Sequence, residues 1–206
     1  MNFCAPLFFS IVLIYIGTCR SFMLKDYSLS STPMVKKWDY GLVYYEISHN
    51  LFRHQNYIYI DIGDSCNSHV GMIGGKQLLT LNGRCLNKGD IMHEVMHALG
   101  FLHEHQRPDR DDYLLILCDN VQHGKLNNFD LIPSEYYENL DRRPFDYESI
   151  MIYGEYAFSK NGLPTMLPTT FTSNILTNPS EKSKLSSLDI KSLEQMYECY
   201  YFKNMI

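Results

Sequence analysis

His93-Glu94-Val95-Met96-His97-Ala98-Leu99-Gly100-Phe101-Leu102-His103 is the stretch on which the reading of this chain turns. His93 and His97 stand four residues apart, so on a helix both imidazoles leave the same face and can bind one cation. Glu94 is offset by one position, which sets its carboxylate beside such a metal as a candidate general base rather than a ligand. Gly100 has no Cβ, so it can take a left-handed conformation, end the helix abruptly and bring His103 round as a third nitrogen ligand. Three protein ligands leave one coordination position open to water, the arrangement of a catalytic Zn2+ site rather than a closed structural one. A bare H-E-x-x-H arises readily by chance in a chain with eight histidines. The glycine and the third histidine at fixed offsets make that coincidence far rarer.

Outward from this stretch, Lys88 to Leu99 reads as the helix, with Ile91, Met92, Val95, Met96 and Leu99 on its buried face. The methionines are core filler, not sulfur ligands. Asn87, with Asp90 three residues later, suits the helix start. His49, His54, His69, His105 and His123 fall outside any ligand spacing. Leu42 to Ser48 and the alternating Tyr57 to Ile62 read as strands, and Gln77 to Leu81 as a further short one. At the far end, Ser186 with Asp189 as the third helical residue has the form of a capping box, and Ile190, Leu193, Tyr197 and Tyr200 fall on one helical face.

The eleven residues fit the metzincin pattern. Together with His103-Glu104-His105-Gln106-Arg107-Pro108-Asp109-Arg110-Asp111 and with Ser149-Ile150-Met151-Ile152-Tyr153, they resemble the astacin family of zinc endopeptidases. The resemblance runs from about Trp38 to Tyr200. It implies an α+β, zincin-like catalytic domain: a small twisted sheet and the active-site helix first, then a loop-rich half ending in a helix. It implies further that Met151 lies under the metal as an apolar base and that Tyr153 reaches the zinc and stabilises the tetrahedral intermediate. Ile152 stands where the family usually has His, a hydrogen-bonding position and not a ligand. In the family the counterpart of Glu104 receives the trimmed amino terminus in a buried ion pair, while Arg107, Asp109, Arg110 and Asp111 form a structural charge network. The strand at Gln77 to Leu81 corresponds to a sheet edge above the active site. Only Asn50 to Asn56 join the first two strands, where the family has a helix and another strand, so one helix is expected to be missing and some apolar sheet surface uncovered.

The 206 residues, 45% hydrophobic and 20% charged, suffice for one well-buried domain. With a net charge of -5 and no long basic run, nucleic acid is not an expected partner. The first nineteen residues carry no charged side chain, and Leu7 to Ile16 is apolar. That run is too short for a bilayer core of about 30 Å, so residues 1–19 read as a signal peptide and not as a membrane anchor. Residues 20–37 read as a short linker or vestigial pro-segment, and 38–202 as the astacin-like domain. Secretion into an oxidising compartment leaves Cys66, Cys85, Cys118 and Cys199, which allow three pairings. The resemblance implies Cys66 to Cys85 and gives Cys199 no partner, so a Cys118 to Cys199 bridge is expected, with two free thiols as the alternative. The sequence thus points to a secreted, monomeric zinc metalloendopeptidase acting on proteins or peptides. The alternative is a catalytically impaired relative that binds zinc and acts by binding a partner.

Overall fold

Alternating apolar side chains build the sheet, and a 3.6-residue apolar stripe builds the helix laid against it. The computed structural model describes residues 35–39, 43–47, 55–133, 143–170 and 175–197. In chain order it contains β1 (Tyr45–Ile47), β2 (Tyr57–Ile62), β3 (Asn67–Ser68), β4 (Lys76–Leu81), α1 (Lys88–Ala98), β5 (Leu114–Ile116), β6 (Met166–Pro168) and α2 (Ser187–Met196). The larger sheet has the order β1-β2-β4-β3, with β3 antiparallel and the other pairs parallel. Ile58 and Ile60 of β2 and Gln77, Leu79 and Leu81 of β4 point inward and are buried. Their neighbours Tyr57, Tyr59, Lys76 and Leu78 form the outer face, where Leu78 stays 47% exposed and Lys76 Nζ sits 3.4 Å over the Tyr59 ring.

Two features of the structure differ from expectation. Gln77 to Leu81 is not an edge. It lies between β2 and β3, and the edge strand is the two-residue β3. A strand's alternation reports which face is buried but not which strands flank it, and two residues are too few to show a period. The expected bridge from Cys118 is also not formed: Cys118 opens a surface turn and is an exposed free thiol. Its expected partner Cys199 lies outside the described residues, as do residues 1–19, read as a leader, and 50–54 of the Asn50 to Asn56 connection that stands in place of the expected helix. The Cys66–Cys85 disulfide is present and ties the start of β3 to the approach to α1. A loop of this length contributes on the order of 3 kcal/mol.

One apolar cluster joins the inner sheet face, α1, Trp38 and Leu193, Met196 and Tyr197 from the end of the chain. A second joins Leu114, Val121, Phe129, Phe145, Ile152, Met166 and Leu176. The termini of α1 are closed by specific bonds. Asn87 caps the first turn by accepting from the Asp90 amide. At the other end Gly100, at φ +105, donates to His97 O at 2.8 Å and Phe101 donates to Met96 O at 3.0 Å, a Schellman closure. Two further carbonyls are reached from far away: Trp38 Nε1 donates to Ala98 O at 2.8 Å and the Tyr197 hydroxyl to Leu99 O at 2.9 Å. The helix is therefore held at its carboxyl end by both extremities of the domain.

At Gly89, α1 passes close against residues 179–182. A Cβ there would stand 1.7 Å from Pro179 O and 2.7 Å from Lys182 O. Helix propensity alone would favour Gly89→Ala by about 1 kcal/mol. The steric conflict outweighs it, and urea unfolding of Gly89→Ala is expected to show a loss of about 1–3 kcal/mol. A gain would show that the contact between α1 and residues 179–182 is not tight.

Candidate active site

His93 and His97 leave successive turns of α1, and the Gly100 turn delivers His103 in extended backbone, φ -69 and ψ 139. In each ring Nδ1 faces an acceptor: Ile150 O at 2.8 Å for His93, Phe101 O at 2.8 Å for His97 and Gln106 Oε1 at 2.9 Å for His103. With the proton held at Nδ1, each Nε2 carries a lone pair. Those atoms converge: His97 Nε2 lies 3.1 Å and His93 Nε2 3.3 Å from His103 Nε2. Three lone pairs so placed repel one another unless a cation sits among them. Zinc with tetrahedral ligands at about 2.0–2.1 Å requires nitrogens roughly 3.3 Å apart, so the donor set fits it in both chemistry and spacing. Among the described residues this is the one group of three His, Cys, Asp or Glu side chains able to hold a metal.

Burial sets the protonation states. It pushes His93 down to about 4 and His103 to about 3, and holds His97 well below its ordinary range, so all three are neutral at pH 7 and ready to ligate. Glu94 is pushed up to about 7, first by burial and then by the nearby Asp90 charge. Its Oε2 is buried with no protein hydrogen-bond partner. Tyr153 is raised to about 12 by burial and by Glu94, so its hydroxyl keeps its proton. Its ring lies 4.8 Å from that of His103 and 4.0 Å from that of His105, and both Glu94 and Tyr153 line the cleft of about 510 Å³ that the histidines open into. Asn67 and Ser68 of β3 form part of the rim, as does Phe158, which holds an unusual positive φ of 54.

The turn at 149–152 passes between the two apolar clusters, with Ile150 and Met151 in the first and Ile152 in the second. Isoleucine is thus well suited to position 152, which is completely buried. Polar contacts fix the same turn from α2. Asp189 accepts from Ser149 Oγ at 2.7 Å and from the Ile150 amide at 2.8 Å, besides closing its capping box with Ser186. Lys182 Nζ donates to Ser149 O at 2.6 Å. The carbonyl of Ile150 in turn orients His93, so a path of hydrogen bonds runs from the α2 cap to His93, 96 residues earlier in the chain.

The structure brings all five expected site residues, His93, Glu94, His97, His103 and Tyr153, to one cleft. Arg107 with Asp109, and Arg110 with Asp111 and His105 O, form the expected charge network. In the untrimmed chain the Glu104 carboxylate is paired with Arg143 and Arg107. Sequence reasoning missed Gln106 and the role of Asp189. Gln106 carries a weak local signal, an amide three residues after a ligand. Asp189 acts across 40 positions and has none.

Three neutral imidazoles around one point, with a buried glutamate beside them on an α+β scaffold, define a metzincin catalytic domain. The family model for the astacin peptidases matches residues 43–198, and the chain belongs to that family. It is 42% identical over 147 residues to zinc metalloproteinase nas-14 of Caenorhabditis elegans, covering 70% of this chain and 28% of that protein. It is also 42% identical over 150 residues to astacin-like metalloprotease toxin 1 of Loxosceles intermedia, covering 70% and 55%. The chain therefore spans only part of the relatives it matches. Among solved structures it is similar to high choriolytic enzyme 1, a hatching enzyme zinc-protease of the medaka Oryzias latipes. That match has a TM-score of 0.71 and 29% identity, over 86% of this chain and 100% of that one.

The lowered histidines make metal-free stability pH-dependent. The folded values lie below the ordinary 6.5, so the unfolded chain takes up protons first. Their contribution is complete above about pH 6.5 and is lost as pH falls toward 4. The melting temperature of EDTA-treated protein is expected to drop steeply over that interval, and the increment on adding zinc to shrink with it, since protons and metal compete for the same nitrogens. Flat melting temperatures from about pH 7 to 4.5 would contradict the assigned environments.

Proposed function

We propose that this chain is a secreted zinc metalloendopeptidase that cleaves peptide bonds in protein substrates. The observation that carries the reading is the convergence of three neutral Nε2 atoms in the cleft that also holds the unpartnered Glu94 Oε2. His93, His97 and His103 would hold the zinc, which when bound supplies Lewis acidity. Glu94 takes the proton from the attacking water and passes it to the leaving amine. Burial raises its proton affinity, which favours the uptake step. Tyr153 keeps its hydroxyl proton and offers it to the oxyanion formed at the former carbonyl. The same residue would serve as a further metal ligand when no substrate is bound.

An extended substrate fits the rim. Among the described residues β3 pairs with β4 on one side only and lines the cleft, so its outer edge is suited to pairing with a peptide backbone. Secretion is supported by the apolar, uncharged first nineteen residues and by the disulfide. Among the described residues no helix is long and apolar enough to cross a membrane.

Glu94→Ala is expected to bind zinc as wild type does and to cleave casein about 10²–10⁴-fold more slowly, the range for a lost general acid-base. Tyr153→Phe is expected to lower kcat with little change in KM. A Glu94→Ala protein as fast as wild type would refute the mechanism. Wild-type protein that is folded, zinc-loaded and inert would favour the binding role instead.

A further inference from the structure

Glu104 directly follows the third histidine, and its side chain has no solvent exposure. Oε1 accepts from Arg107 Nη1 at 3.0 Å, from Arg143 Nη1 at 3.0 Å and from the Asp146 amide at 2.9 Å, and Oε2 accepts from Arg143 Nη2 at 2.6 Å. A carboxylate offers about two acceptor positions on each oxygen, so three donors crowd Oε1 while Oε2 receives one. Arg143 engages it through both terminal nitrogens, the strongest geometry available to a guanidinium. Arg107 meanwhile holds Asp109 and the carbonyls of Arg143 and Pro144. Among the described residues the carboxylates of Glu104 and Asp109 thus meet the guanidinium groups of Arg107 and Arg143.

This cluster joins two segments that must meet for the site to exist. One is the loop that carries His103. The other is the stretch from Arg143 to Asp146, which leads into the 149–152 turn and to Tyr153. Their backbones touch a second time where the Glu104 amide donates to Met151 O at 2.9 Å.

We infer that Arg143 is a positioning residue for peptide hydrolysis: it supplies internally the cation that buried Glu104 requires, so that His103 and Tyr153 are set without any contribution from a free α-amino group. Full burial, with Arg143 spanning both oxygens, leaves an ammonium no open approach to Glu104 unless these groups move. The inference rests on the reading of the site as a peptidase. It differs in consequence, because it makes activity indifferent to where the amino terminus lies.

The test compares wild-type, Arg143→Lys and Arg143→Ala proteins, each in two forms, one begun at residue 35 and one with residues 20–34 retained in front. Zinc content, kcat and KM on a quenched peptide, and the visible spectrum of the cobalt(II)-loaded protein are measured for each. Wild type is expected to keep kcat within about 2-fold and an unchanged cobalt spectrum whatever precedes it. Arg143→Ala is expected to bind metal, to lose about 10- to 100-fold in kcat with KM little altered, and to show a shifted cobalt spectrum, since small misplacements of reacting groups cost about this much. Arg143→Lys should recover part of the loss. Loss of wild-type kcat or a changed spectrum on extension would overturn the inference, as would an Arg143→Ala protein identical to wild type. If Arg143→Ala does not fold, the wild-type extension series and Arg143→Lys carry the test. If every sample is inert, the peptidase reading fails, while the cobalt spectra still decide the role of Arg143.

Discussion

Everything in the site depends on where three protons are held. The Nδ1–H groups of His93, His97 and His103 are committed to Ile150 O, Phe101 O and Gln106 Oε1, and this alone turns three Nε2 lone pairs toward one another. The arrangement is unfavourable without a cation, and burial removes the alternative of protonating the rings. The fold therefore stores an electrostatic need that zinc satisfies. Of the three acceptors, two lie within four residues of their histidine. The third, Ile150 O, lies 57 residues from His93 and makes the loop-rich half indispensable to the helix.

That remote acceptor explains much of the surrounding construction. The 149–152 turn is wedged between the two apolar clusters, fastened to α2 through Asp189 and Lys182, and joined to the His103 loop through Glu104. Its side-chain contacts are buried or partly buried, where a hydrogen bond is stronger and an unpaired polar group costlier than at the surface. In the family pattern His follows the methionine. Here Ile152 is completely buried in the second cluster and presents no polar side-chain atom that would need a partner there.

What the sequence discloses is what local periodicity can carry. The helix at Lys88, its Asn87 cap, the left-handed Gly100 and the facing histidines all follow from spacings of three to ten residues, and each stands where those spacings put it. The alternation in Tyr57–Ile62 and the Ser186 capping box are legible for the same reason. The contacts that complete the site are not. Trp38 and Tyr197 reach the end of α1 across 60 and 98 positions, and Asp189 and Arg143 act across 40 and 39. No spacing rule marks such pairs. The misplaced sheet edge has the same origin, because neighbour order is a property of the assembled sheet and not of any one strand.

Three imidazoles sharing one zinc ion is the claim on which the rest stands. Zinc-edge X-ray absorption of the purified, dialysed protein measures it directly. The predicted spectrum shows a shell of nitrogen or oxygen neighbours at about 2.0–2.1 Å with outer-shell scattering from three imidazole rings, falling to two in His103→Ala. A protein that retains no zinc after dialysis, or a first shell containing sulfur at about 2.3 Å, would contradict it.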